Sequence, residues 1–217
     1  MKDRKFIIFD LDGTLSDPGE GIIGSLILAL RHFGIEGDPN LLRTFIGPPL
    51  KESFEKHFSF SETQVDEAIR LYRQYFEEHG LHKNHVYPGI PELLSDLTKA
   101  GKTLAIATTK ADFFAHKTLE YLNIAKYFQK DLVFGAYLDG RRTDKAELIA
   151  AVLERLGGTP QDKVMVGDRK YDIVGAKVNG LDVIAVTYGY GTQEELEALE
   201  PTAMVNSVQA LRELLLG

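Results

Sequence analysis

Two patterns of apolar residues alternate along the 217-residue chain. The first is the short unbroken run, rich in β-formers. It appears at Phe6-Ile7-Ile8-Phe9, at Lys102 to Ala107, at Asp131 to Gly135, at Lys163 to Val166 and at Val183 to Val186. Such runs predict strands buried on both faces, as in a parallel sheet. The second is helical spacing, with apolar residues on one face. It covers Leu93, Leu94 and Leu97 up to Gly101, then Asp112 to Leu122, then Leu148, Ile149, Val152, Leu153 and Leu156, and finally the tail from Val208 to Leu216. Strands and helices in alternation predict an α/β fold.

Residues 17–80 break that alternation, because only the helical pattern occurs there. Asp17-Pro18-Gly19-Glu20 has capping-box spacing with a proline at the first helical position. Ile22, Ile23, Leu26, Ile27 and Leu30 form the face, and Gly34 ends the helix. Asp38-Pro39 starts a short helix, Gly47-Pro48-Pro49 interrupts it, and a third runs through Phe54 and Phe58. Ser61 and Gln64 form a second capping box, ahead of Val65, Ala68, Ile69, Tyr72 and Phe76 and a stop at Gly80. The expected organisation is a core of residues 1–16 and 81–217 with an inserted helical cap, 17–80. Gly13–Ser16 and Gly80–Tyr87 are its linkers.

Composition narrows the function. A net charge of −7 with no basic block argues against a nucleic-acid polymer as partner. No cysteine is present, so disulfides, thiolate metal sites and thiol nucleophiles are excluded. The longest apolar stretch, Gly21 to Leu30, is about half of the ~20 residues that a membrane helix needs. The charged start, with its apolar run interrupted by Asp10 and Asp12, does not read as a signal peptide. These features read as a soluble, cytoplasmic protein, monomeric or homodimeric.

The candidate chemistry lies where strands end. Asp10 and Asp12 follow the first run two residues apart, and an extended chain would point both carboxylates the same way. Like charges that close repel unless a cation joins them or one is protonated. Gly13 then lets backbone approach a ligand. Thr108 and Thr109 end the second strand with hydroxyls, and a hydroxyl there can donate to a phosphoryl oxygen. Lys145 opens a helix, where a lysine is mildly unfavourable unless an anion sits at that end. Lys110 is the alternative cation. Asp168 and Asp172 follow the Lys163–Val166 run four residues apart, on one side of a helix starting there. His79, His82 and His85 recur at every third position, but Gly80 breaks the helix that would align them, so they read as a polar hinge.

Four strings occur in order: Phe-Asp-Leu-Asp-Gly-Thr-Leu from Phe9, Thr108 after a strand, Lys145 at a helix start, and Gly-Asp-Arg-Lys-Tyr-Asp from Gly167. Together they resemble the four motifs of the haloacid dehalogenase superfamily, in its phosphatase branch. The resemblance covers essentially the whole chain and implies a Rossmann-like, doubly wound parallel sheet. It implies Asp10 as nucleophile, Asp12 as general acid and base, and Thr108 and Lys145 as holders of the phosphoryl group. It implies Mg²⁺ held by Asp10, the Asp12 carbonyl, Asp168 and, directly or through water, Asp172. Lys-Ala-Glu-Leu from Lys145 departs from the Lys-Pro-x-Pro of many relatives, which bears on the subgroup.

The helical cap is similar to that of the phosphoglycolate-phosphatase-like branch. Arg141 to Glu147 and Tyr188-Gly189-Tyr190-Gly191 look more like 5′-nucleotidase-like members. The expected substrate is therefore a small phosphate ester, first a nucleoside 5′-monophosphate, with phosphoglycolate as the alternative. A sugar phosphomutase and a non-catalytic aspartyl-phosphate switch rank lower. Thr109, Arg43 and Lys51 are the candidate substrate-binding residues, and Phe45, Phe54 and Tyr72 could supply an apolar wall.

Overall fold

A computed structural model describes residues 1–217. Six strands form one parallel sheet: β1 (Phe6–Phe9), β4 (Thr103–Ala111), β5 (Val133–Ala136), β6 (Lys163–Gly167), β7 (Asp182–Val186) and β8 (Ala203–Val205). The order is β5-β4-β1-β6-β7-β8. Two further short strands, β2 (Ser16–Asp17) and β3 (His85–Val86), pair antiparallel apart from it. They join the linkers on either side of the helical insertion.

β1 sits centrally, and its residues alternate between two cores. Ile7 and Phe9 pack with α5 (Ile90–Lys99), α6 (Asp112–Tyr121) and α9 (Val208–Leu216). Ile8 faces the other way, toward α7 (Lys145–Leu156) and α8 (Lys170–Val178). Helices therefore cover both faces, which is why the strand runs read as unbroken apolar segments. The register matters for function. Phe9 lies level with Ile106 of β4 and with Val166 of β6. The residues that follow each therefore emerge together at the carboxyl edge, where open α/β sheets bind ligands.

The insertion contains α1 (Gly19–Arg31), α2 (Pro39–Arg43), α3 (Leu50–His57) and α4 (Glu62–Tyr75), and a π-helical turn closes it at Phe76–Gly80. Fifteen buried residues form its own core, all but Phe114 drawn from residues 22 to 81. Ser61 and Gln64 make the expected reciprocal capping box.

Several expectations shift. α1 begins at Gly19 rather than at Pro18, because Asp17 is held in β2; its carboxylate still accepts from the Gly19 amide. The Asp131 strand starts later, after a 3₁₀ turn at Lys130–Leu132. β4 runs on to Ala111, with an irregularity between Ala107 and Ala111 that frees Thr108, Thr109 and Lys110 from the ladder. β8 was not legible, since three residues carry no period. No helix is long and apolar enough to cross a membrane.

Ile8 is fully buried in the central strand. Ile8→Ala is expected to lower unfolding free energy by ~2–5 kcal/mol in urea titration. A loss below ~1 kcal/mol would show that this strand does not carry the packing assigned to it.

Candidate active site

The turn after β1 separates the two carboxylates that an extended chain would have aligned. The strand stops at Phe9, the chain bends at Leu11, and the Leu11 amide donates to Asp10 Oδ1 at 2.7 Å. Asp10 and Asp12 consequently meet different cations. Lys145 Nζ lies 3.0 Å from Asp10, and Lys110 Nζ lies 2.7 Å from Asp12.

Lys145 is the hub of the deeper half. Its buried ammonium also lies 2.9 Å from Asp172 Oδ1 and donates to the Ala107 carbonyl at 2.9 Å. The ammonium is thus placed between two carboxylates and a carbonyl of the site. The N-terminus of α7 places it, with Asp144 capping the Ala146 and Glu147 amides. Burial alone would lower its pKa, but the charges of Asp10 and Asp172 outweigh that and raise it, so the ammonium is held charged.

Asp168 follows β6 and is fully buried. The Thr14 hydroxyl donates to it at 3.0 Å and the Tyr190 amide at 2.8 Å. Asp172 sits in the first turn of α8 and accepts from the Arg169 amide at 3.0 Å. Oxygens of Asp10, Asp168 and Asp172 all lie within 4.8 Å of one another. Burial and mutual repulsion push Asp168 well above the usual carboxylate range. Burial likewise pushes Asp172 up to about 6, with Lys145 opposing. Three carboxylates facing one ammonium leave a buried negative excess. All-oxygen donors around such an excess suit a hard divalent cation such as Mg²⁺. Gly13 completes the fit: its φ is +88°, and a Cβ there would lie 2.2 Å from Asp168.

Asp12 occupies the outer half. It lines a cavity of about 520 Å³ between the insertion and the carboxyl edge of the sheet. Burial raises its pKa, against the lowering effect of Lys110, and its Oδ1 has no partner. Thr108 is buried at the same edge; its oxygen accepts from the Lys110 amide, leaving its proton free to be donated.

A family profile described as haloacid dehalogenase-like hydrolase matches residues 7–186. The chain belongs to this family. It is 43% identical to a 5′-nucleotidase of Pseudomonas aeruginosa over 211 residues, 96% of this chain and 94% of that protein. It is 37% identical to the tyrosine-protein kinase PtkA of Mycobacterium tuberculosis over 216 residues, 97% of this chain and 72% of that protein. The crystal structure of a predicted phosphatase from Clostridium acetobutylicum superposes with a TM-score of 0.93 at 42% identity, covering 98% of both chains. The family and these likenesses make the chain a haloacid dehalogenase-like phosphatase.

The outer candidates are placed less uniformly. The Thr109 hydroxyl is already used, donating to the Gly47 carbonyl of the insertion at 2.7 Å. Arg43 does not line the cavity; it is exposed and stacks over Tyr190, 4.5 Å from the ring centre. Lys51 does line it, from an exposed position beside Glu55 and Glu62. Phe45 and Tyr72 are wall residues, whereas Phe54 is buried within the insertion's own core. The three histidines form no cluster: all are exposed, His79 lies beside Glu78, and His82 meets Tyr121 edge-on.

Thr14, Tyr190 and Arg169 were assigned no role from sequence. All three lie in strings already singled out, but their partners are distant in the chain. The Arg169 guanidinium holds the Ile46 carbonyl, one residue from the carbonyl that Thr109 holds, and bonds Glu195 at 3.0 Å. Gly47, at φ +109°, leaves room for it; a Cβ there would lie 2.9 Å from Arg169 Cγ.

Two neighbouring carbonyls of the insertion are thus fastened to the core, one by Thr109 of β4 and one by Arg169 after β6. Thr109→Val should remove one fastening without changing shape. Amide exchange at Phe45, Ile46, Gly47 and Leu50 is expected to accelerate roughly fivefold, matching the ~1 kcal/mol of one hydrogen bond. Unchanged exchange would show that this bond does not restrain the loop.

Proposed function

We propose that the chain is a Mg²⁺-dependent phosphomonoesterase of small cytoplasmic organophosphates, with nucleoside 5′-monophosphates as the preferred class. One observation carries this reading: a buried carboxylate trio with a single ammonium stands beside a fourth carboxylate that opens into a partly aromatic cavity.

Asp10, Asp168 and Asp172, with the Asp12 backbone carbonyl, would hold Mg²⁺. When bound, the ion shields the negative phosphoryl oxygens from the carboxylate that approaches them. Asp10 attacks phosphorus in line with the ester oxygen and becomes an aspartyl phosphate as the P–O bond to the alcohol breaks. Asp12 gives its proton to the departing oxygen. It then takes one from the water that attacks the aspartyl phosphate, which returns Asp10 and releases inorganic phosphate. The Thr108 hydroxyl and Lys145 steady the phosphoryl oxygens through both steps. The closed insertion excludes bulk water meanwhile.

The nucleoside preference draws on the cavity wall. Phe45, Tyr72, Phe76 and Phe114 line it and are buried, which suits an apolar ring. A carboxylate leaving group such as glycolate would call for a free buried cation. Lys51 and Arg70 are exposed beside glutamates, and Arg73 donates to the Leu138 carbonyl at 2.7 Å. The likeness to the Pseudomonas 5′-nucleotidase supports the same preference.

Phosphate release from parallel esters tests the reading. Nucleoside 5′-monophosphates are expected to exceed phosphoglycolate in kcat/KM, EDTA to silence the reaction, and Mg²⁺ to restore it. Asp10→Asn should abolish turnover while the circular dichroism spectrum stays native. Phosphoglycolate as the best ester would displace the nucleotide assignment, and full activity after chelation would remove the metal. Phosphate appearing on a second hydroxyl rather than free would indicate a mutase.

Asp12→Ala separates the general acid from the nucleophile. On an alkyl ester the variant is expected to lose ~100- to 10,000-fold in kcat. The loss on p-nitrophenyl phosphate should be much smaller, because that leaving group needs little protonation. Equal losses on both esters would count against Asp12 as the acid.

A further inference from the structure

One helix face lines much of the cavity wall. Asp66, Ile69, Tyr72, Arg73 and Phe76 recur along α4 and its π-helical extension at spacings of three and four, and all line the cavity. The face is graded: Asp66 is exposed, whereas Tyr72 and Phe76 are 7% and 1% accessible. The buried end is linked to the chemistry through a short chain of contacts. Tyr72 stacks on Phe76 with ring centres 5.8 Å apart, and Lys110 lies 4.6 Å from the Phe76 ring while holding Asp12.

Within this buried end the Tyr72 hydroxyl stands out. It makes no hydrogen bond to any protein group and is not sealed from the cavity, so it is free to meet a ligand there. Its polar neighbours on the wall are committed: Lys110 to Asp12, Thr109 to Gly47, Arg73 to Leu138. Asp12 is close enough for its negative charge to add to the effect of burial in raising the phenol's pKa. Asp12 Oδ1 is likewise without a partner. Two uncommitted polar groups thus belong to residues that line one cavity.

We infer that Tyr72 determines specificity: its hydroxyl hydrogen-bonds a polar group of the leaving alcohol while the ester oxygen of that alcohol sits at Asp12. The inference rests on the reading of Asp12 as the group that meets the leaving oxygen. It adds a requirement to that reading, that the preferred alcohol carry a second hydrogen-bonding group beyond its ester oxygen. A ribose hydroxyl or ring oxygen meets the requirement, and a plain phenol does not. A site built to pair such a group discriminates against alcohols lacking it, because its own polar atom is then left unpaired.

Tyr72→Phe keeps the ring and removes one oxygen. The ratio of kcat/KM for a nucleoside 5′-monophosphate to that for phenyl phosphate is expected to fall roughly tenfold. Wild type should also lose activity on whichever of the 2′- and 3′-deoxy nucleotides lacks the contacted hydroxyl, and the variant should be indifferent to that change. An unchanged ratio, or identical losses on both esters, would overturn the inference and leave Tyr72 a packing residue. The substrate assignment fails separately, in the wild-type ester panel. If another hydroxylated ester is preferred there, the same ratio measured with that ester decides the role of Tyr72.

Discussion

The site depends on an excess of buried negative charge held at one edge of a sheet. Asp10, Asp168 and Asp172 are placed there by strand register and by the first turn of a helix, and Lys145 alone meets two of them. Removing ionised carboxylates from water costs several kcal/mol each. The fold sustains it through fixed donors: Lys145 itself, the Leu11, Arg169 and Tyr190 amides, and the Thr14 hydroxyl. Such an arrangement is poor as a core and apt as a receptor for a cation and a phosphoryl group. The burial that makes it costly also strengthens every electrostatic interaction within it.

The fourth carboxylate follows a different logic. Asp12 is separated from the trio by the bend at Leu11 and is held by Lys110, whose ammonium lies over the Phe76 ring of the insertion. Asp12, the ammonium beside it and the aromatic wall thus form one contact chain from core to insertion. The insertion is also fastened by Thr109 and Arg169 through adjacent carbonyls. Arg169 lies between Asp168 and Asp172 in sequence, so one loop serves both the carboxylate trio and the closure. The cavity exists only because these two bodies meet, and its polarity is set by residues from both.

Much of this was legible in the chain itself. Unbroken apolar runs marked five of the six parallel strands, and helical spacing marked the insertion, because both signals come from which faces must leave water. The carboxylates, Thr108 and Lys145 stood at strand ends and helix starts, where a polar residue after an apolar run is conspicuous. Tertiary structure decided the partners. Asp10 and Asp12 look equivalent in sequence, yet a bend sends one to Lys145 and the other to Lys110, two lysines that sequence treated as rivals. Thr109 and Arg43 looked available for substrate, but one bonds Gly47 and the other covers Tyr190, contacts between residues far apart in the chain. Local periodicity reports burial and direction. It carries no information on which distant backbone carbonyl or ring arrives opposite a side chain, because packing of two separately folded layers settles that.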